Sequence, residues 1–449
     1  MINKLDAQDR YTEHFAQMES HLMEISPDWA RPLRKAAIEH FAGLGFPTIR
    51  EENWKYTNLA ALAHTPFIPA ATLDQEGFDL SDLQDKTAAE LPGHRLVFIN
   101  GVFNAAQSRL NELPPGVTVC PLSIAFKNSP VAVDNYMTHV APCQGNALVA
   151  LNTAFWTDGA FVHIAPGTIV HEPIQIVFAS GGKKDMLVTF PRVLVVASPG
   201  SEASLIQYHV DGLDSHYWAN CVCELVLDDN SSIEHYLLQE ESVTAYHTNL
   251  IEVKQASNSN YVSHNFCTGS ALARTDLNVR LTEEGAKCSL YGLYSSRGTQ
   301  HLDNHTLIDH ISPRCTSHEF YKGILNGKSR AVFNGKVMVR PDSQGTDARQ
   351  ENRNLLLSED AQIDTKPELE IYANDVKCSH GATVGQLDED ALFYLRSRGV
   401  GANAARHILT LAFASELLER VQIPLLADHL HWKTLPRCMP SARIFESVG

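Results

Sequence analysis

Long apolar runs are missing from this chain of 449 residues. None approaches the roughly 20 residues that cross a bilayer, and the opening stretch MINKLDAQDRYTEHFAQ lacks the apolar core of a signal peptide. The expectation is a cytoplasmic protein with no membrane partner. Positive charge is scarce as well: 36 Lys and Arg stand against 52 Asp and Glu, a formal net charge of -16. Nucleic-acid surfaces need clustered basic residues, so none is expected here. Cysteine is odd in number, at nine, irregularly spaced and never in a CxxC pair. That argues against a disulfide framework, a zinc ribbon and a thioredoxin-like site, and leaves free thiols as the expectation. The patterns GxxxxGK[ST], GxGxxG and HExxH are absent too, so an ATPase or a nucleotide redox enzyme is not supported.

What is present falls into three zones. Residues 1–115 read as a helical and mixed domain, with a helix over DWARPLRKAAIEHFAGLG (Asp28 to Gly45) that closes on glycines, and a strand in RLVFINGVF from Arg95. Residues 116–385 turn to strands rich in Val, Ile and Tyr, punctuated by the turns APGT, SPGS, LDDNSS, TEEGA and ISPRC. Residues 386–449 read as helical again. Asp388 is placed to cap a helix that stops at Gly399, and a second helix sets Ile408, Leu411, Ala412 and Ser415 on one face, beside Leu409, Phe413 and Leu417. Two roles are open to this last zone: a cap closing a solenoid end, which solenoids require, or a docking module for a partner.

The middle zone repeats. Tyr208, Tyr236, His264, Tyr291 and His318 recur every 27 or 28 residues. Val210, Leu238, Phe266, Leu293 and Phe320 follow two positions after each. A fixed period in strands without helices predicts a parallel β-helix of about two long strands per turn, each turn burying its apolar face on the next. Strand-like texture continues to about Gly385.

Several groups are candidates for chemistry. His301, His305, His310 and His318 crowd one stretch, but His318 and His264 belong to the aromatic column, and the remaining three share no simple strand-face spacing. Cys288 and Cys315 align with Leu205, Ile233 and Tyr261, an apolar company in which cysteine acts as a small hydrophobe. Cys221 and Cys223 share a strand face and read as core. Cys378 and His380, in DVKCSHGATVG, share the face of the last strand about 6.7 Å apart. They can converge on one metal only if other strands or another chain add ligands.

From Tyr321 onward, YKGILNGKSRAVFNGKVMV and, further on, DVKCSHGATVG resemble the SufB/SufD family of iron–sulfur cluster assembly proteins. So do ENWKYTNL near residue 52, VFINGVF near 97 and ALNTAFWTDGAFVHIAPGT near 150, so the resemblance covers nearly the whole chain. Within the family, Gly381 stands where SufB carries a glutamate, and about Asn352 stands where SufB carries its sulfur-accepting cysteine. The SufD branch is therefore the better match. The resemblance implies a mainly β protein, a right-handed parallel β-helix flanked by N- and C-terminal helical domains. It implies a non-catalytic scaffold subunit that pairs with SufB through the solenoid. The ATPase SufC would dock on the C-terminal helices, for which Leu392, Phe393, Leu395, Arg396, Arg398, Ile408 and Leu411 are the candidates. His380 would act as an iron ligand at the SufB interface, with Cys378 beside it. A transient iron–sulfur cluster or iron would be shared with SufB, with none tightly bound by this chain alone, and a homodimer is compatible with the isolated subunit. A β-helix carbohydrate enzyme and a stand-alone iron-binding protein are the competing readings.

Overall fold

The computed structural model describes residues 4–70, 91–128, 130–181, 186–211 and 215–435. The end of the C-terminal zone, residues 436–449, lies outside the described residues, as do 71–90 of the first zone. The leading part contributes β1 (Ile68–Pro69), β2 (His94–Ile99), β3 (Val102–Phe103) and β4 (Val117–Pro121). Next come β5 (Gly159–Ile164), β6 (Ile174–Ser180), β7 (Leu187–Thr189), β8 (Arg192–Ala197), β9 (Glu202–Asp211), β10 (Tyr217–Leu227) and β11 (Ser232–Glu240). The series continues with β12 (Tyr246–Gln255), β13 (Asn260–Cys267), β14 (Leu272–Leu281), β15 (Lys287–Ser296), β16 (His301–His310) and β17 (Thr316–Leu325). It ends with β18 (Arg330–Val339), β19 (Thr346–Leu356), β20 (Gln362–Ile371) and β21 (Val376–Gly385).

From β8 onward the chain alternates between two parallel sheets, even strands in an 11-stranded sheet and odd strands in a 10-stranded one. This is the parallel β-helix that the repeat predicts. β2 and β3, from within the first 115 residues, already belong to the odd sheet. Strands buried on both faces favour β-branched and aliphatic residues. Val195, Leu225, Val253, Val279, Ile308 and Val337 accordingly stack one above the other inside the solenoid, with Leu369 at the end of the row. One corner is stitched by its turns. Gly167, Gly200, Asn230, Asn258, Gly285, Arg314 and Gly345 all adopt positive φ. Each N–H donates to a carbonyl of the following turn, the last to Asp375. Glycine and asparagine tolerate this left-handed region, which is why the predicted turns are rich in them.

The turn row also gives the true repeat, which varies from 27 to 33 residues along the chain. The aromatic column is therefore shorter than the sequence suggests. Tyr236, His264 and Tyr291 are direct neighbours in the odd sheet, but Tyr208 pairs with Leu238, and His318 with Ser289. Rings still touch: Tyr236 stacks on His264 at 4.7 Å, and His318 meets Tyr291 edge-on at 5.8 Å. In the neighbouring column Cys288 follows Ala203, Ile233 and Tyr261 and precedes Ser317. Leu205 and Cys315 thus fall outside it. Among the described residues the eight cysteines are free thiols, as expected.

Helices cover the outer faces of both sheets. Lys4–Ile25, Ala30–Leu44 and Ala147–Phe155 pack on the even sheet around Phe161, Leu194, Trp218 and Val222. A buried pair fastens them: Arg192 meets Glu224 at 2.6 Å and also donates to Asn152 and Thr153. The ENWKYTNL segment clamps onto the same sheet further along. Trp54 lies 3.7 Å under the Arg274 guanidinium, Arg274 donates to Asn53 O, and the Thr57 hydroxyl donates to Asp303. The helices Ala402–Leu418 and Pro424–His429 lie along the outer face of the odd sheet, on the aromatic column. Arg420 covers Tyr291 at 4.5 Å, Gln422 N donates to Tyr236, and His429 meets Glu240. These helices flank the solenoid and do not close its end. The buried positions of Ala402–Leu418 are Ala405, Thr410, Ala414, Leu417 and Leu418, a face rotated from the expected Ile408–Leu411–Ala412–Ser415 stripe. Just past the helix end, the Tyr291 and Tyr236 hydroxyls accept from Arg420 and from Gln422 N and hold that rotation.

Replacing Arg274 with alanine removes the guanidinium that contacts the buried Asp303 carboxylate at 2.9 Å and leaves that carboxylate only His305 and the Thr57 hydroxyl. A denaturant midpoint for Arg274→Ala should report a loss of about 3–5 kcal/mol. Arg314→Ala, which removes the exposed pair with Glu284, should leave the midpoint nearly unchanged.

Candidate functional site at the open rim

A ladder of in-register strands must end somewhere, and here it ends at β20 and β21, the outermost strands of the two sheets. Every residue from Val376 to Gly385 is half-buried or exposed, and Ile371, Tyr372 and Val384 present apolar surface at the same rim. The inward face of β21 carries Cys378, His380, Ala382 and Val384. Cys378 follows Ala348 and packs against the interior core, and burial pushes its thiol up. His380 follows Gln350 and is exposed. The structure thus sets the two residues side by side at the mouth of the solenoid.

Beneath His380 the interior is polar. Gln350 donates through Nε2 to the Glu319 carboxylate at 2.6 Å, and burial pushes that carboxyl up to about 7 despite the bond. Gln350 has room because residue 335 is glycine: a Cβ there would lie 2.3 Å from its amide nitrogen. Asn352 is also buried. Its amide donates to the Tyr294 hydroxyl and accepts from Asn354 and Thr365. An amide with this set of partners offers no nucleophile where the resemblance puts SufB's cysteine.

The histidine-rich stretch disperses. His301 faces outward to Thr57, His305 pairs with Asp303, and His310 turns inward to Ser317. Among the described residues these do not form a shared site. Over the even sheet, the sheet facing the one that carries His380, lies a cleft of about 780 Å³. Most of its carboxylates are paired with cations: Asp276 with Arg274, Glu370 with Lys336, and Glu52 and Glu368 with Lys366, while Glu51 accepts from the Thr48 N–H. The carbohydrate-enzyme reading has no carboxylate pair set aside for catalysis there.

On the helix that follows the rim, Asp388 caps Asp390 and Ala391, and Gly399 ends the turn at positive φ, both as predicted. Leu392 is buried, Leu395 is half-buried, and Leu411 packs on the odd sheet. Phe393 is 74% exposed, Ile408 is 45% exposed, and Arg396 and Arg398 are exposed beside them. Sequence reasoning missed the Glu319–Gln350 pair below His380. The residues are 31 apart and meet only through the register.

Fold and rim define a class: a two-sheet parallel solenoid, armoured by helices on its flanks, whose last rung exposes an imidazole and a thiol. Residues 178–413 match the family described as SUF system FeS cluster assembly, SufBD core domain, and residues 5–176 match the SufBD protein N-terminal region. The chain belongs to the SufBD family and is an iron–sulfur cluster assembly protein of that family. It is 33% identical over 406 residues to an iron-sulfur cluster assembly SufBD family protein of Synechocystis, covering 88% of both chains. It is 29% identical to iron-sulfur cluster assembly protein SufD of Escherichia coli, over 90% of this chain and 92% of that one. It is 28% identical to protein ABCI7, chloroplastic, of Arabidopsis thaliana, over 92% and 87% respectively. Among the described residues no helix is long and apolar enough to cross a membrane.

Glu319 gives a signed pH test. Its carboxyl rises from 4.5 to about 7 on folding, so the folded state holds the proton more tightly. The stabilisation is complete below the unfolded value and is lost as pH rises through about 7. Unfolding midpoints from about pH 5 to pH 8 should fall for the wild type by up to about 3 kcal/mol relative to Glu319→Gln, whose amide does not titrate.

Proposed function

We propose that this chain is the SufD-type scaffold subunit of a SUF assembly complex, without catalytic chemistry of its own. It pairs at the open solenoid rim with a SufB-type subunit and carries a SufC-type ATPase on the helices Glu389–Ser397 and Ala402–Leu418. The observation that carries this reading is the rim itself. Among the described residues β20 and β21 each present a strand edge with no neighbour, and the inward face of β21 sets His380 and Cys378 beside that edge. Unpaired edges bind another strand readily, and soluble proteins normally blunt them. One imidazole and one thiol are too few to hold iron or a cluster, whose sites use more ligands, so the remaining donors belong to the partner. Similarity to SufD of Escherichia coli supports the same choice. The exposed Phe393, Ile408, Arg396 and Arg398 are the surface offered to the ATPase. The buried Leu392 and the packed Leu411 hold the helices in place.

In this reading iron or the nascent cluster is cargo, met by His380 from one side and by the partner's groups from the other. The chain acts in the cytoplasm and retains no cluster alone. His380→Ala should leave folding and co-purification of SufB- and SufC-type partners intact. It should abolish maturation of iron–sulfur enzymes in cells that depend on this subunit. Normal enzyme activity in that strain would contradict the proposal. Phe393→Asp with Ile408→Asp should instead release the ATPase while thermal unfolding stays unchanged. Retention of the ATPase would exclude this surface as its seat.

A further inference from the structure

We propose that His209, Cys221 and His247 form a buried site for a divalent transition-metal ion, zinc(II) by preference, inside the solenoid and separate from the open rim. His209 lies near the end of β9 in the odd sheet, and Cys221 and His247 lie on β10 and β12 of the facing sheet. All three are fully buried, and one donor atom from each lies within 4.8 Å of the others. The position of His209 in its sheet is six rungs from β21, or about 29 Å at the usual strand spacing.

The orientation of each ring points to a shared centre. His209 stacks on Phe178 at 5.1 Å, and its Nε2 meets the Gln207 amide at 2.9 Å. That leaves Nδ1 facing the Cys221 sulfur at 3.9 Å. His247 sits 4.7 Å from His209, ring to ring, and its Nδ1 lies 2.7 Å from a Glu241 oxygen. The same Glu241 oxygen accepts from Gln239 at 2.9 Å. Neither ring nitrogen of the buried His247 has a hydrogen-bond partner of good geometry: Nδ1 has the Glu241 oxygen at ion-pair distance, and Nε2 is orphaned. Orphaned buried nitrogens are rare and call for an explanation. A carboxylate beside one ring nitrogen, as Glu241 lies beside His247 Nδ1, is the usual neighbour of an imidazole whose other nitrogen binds a metal.

Two imidazoles and a thiolate suit a borderline-soft ion. Zn–N and Zn–S bonds of about 2.0 and 2.3 Å put tetrahedral donors roughly 3.5 Å apart, so the donors, now within 4.8 Å of one another, close on an ion by drawing in by up to about 1 Å. On binding, the Cys221 thiol exchanges its proton for the metal ion, and the proton is released to the solvent. With the Glu241 carboxylate, the thiolate then balances the dication, so a buried charge is not left uncompensated. Three donors leave a fourth position open. Bound there, the ion would tie β9 to β10 and β12 across the solenoid interior.

The test uses the full chain, expressed with added zinc(II) or cobalt(II), dialysed against a chelator and analysed for metal. The wild type should retain stoichiometric metal, and the cobalt form should show a thiolate-to-cobalt charge-transfer band with intense tetrahedral d–d absorption. Cys221→Ser should lose both, while Cys223→Ser, two residues along the same inward face, should keep them. Glu241→Gln should weaken retention about 10- to 100-fold in chelator competition. Wild-type retention no greater than that of folded Cys221→Ser would overturn the proposal. So would the absence of a thiolate band in cobalt-loaded wild type, whatever the variants do. A band that survives in Cys221→Ser and disappears in Cys378→Ser would also overturn it, by placing the metal at the rim.

Discussion

In-register hydrogen bonding between parallel strands fixes everything else in this molecule. Each long strand donates and accepts along both edges, so stacking turn on turn satisfies the backbone and builds a continuous aliphatic row from Val195 to Leu369. The same rule guarantees that the last strand of each sheet keeps one edge without a neighbour. The flanks of the solenoid are covered by the N-terminal helices on one sheet and the C-terminal helices on the other. The rim at β20 and β21 is where the ladder stops, and it is there that His380 and Cys378 stand.

This arrangement divides the work by location. Polar residues inside the solenoid are held by one another, as Gln350 is by Glu319 and Asn352 by Tyr294, and they shape the floor beneath the rim. The aromatic column on the odd sheet is a seat for the C-terminal helices, which positions the exposed Phe393 and Ile408. A partner that continued the strands and a partner that gripped the helices would meet surfaces of different kinds, one backbone and one side chain. Movement of the second could then reach the first through the short connection between β21 and the Glu389–Ser397 helix.

Much of this is legible in the sequence, for definite reasons. Turns announce themselves because a left-handed backbone favours Gly and Asn, and the strand texture ends at Gly385, where β21 does. Asp388 and Gly399 mark a helix because capping chemistry is local. Register is less visible. A slip of two residues keeps every side chain on its own face, so Tyr208 and His318 fit the aromatic column by pattern while lying one pair away from it. The rotation of the Ala402–Leu418 helix was hidden because its surface is apolar on more than one side, and only the partner sheet chooses. His209, Cys221 and His247 give no linear motif at all, since they come from facing sheets and meet only after folding. His380 was visible through family resemblance, and its isolation at a strand edge through the structure.

The central claim is that the open rim is the pairing surface. Amide hydrogen exchange across the whole chain, with and without a SufB-type subunit, tests it most directly. The account predicts that amides of β20 and β21 exchange quickly in the isolated chain at their free edges and become strongly protected in the complex. The flanking faces beneath the N-terminal helices should not change. Protection that appears elsewhere, with the exchange of Val376–Gly385 unaltered, would contradict it.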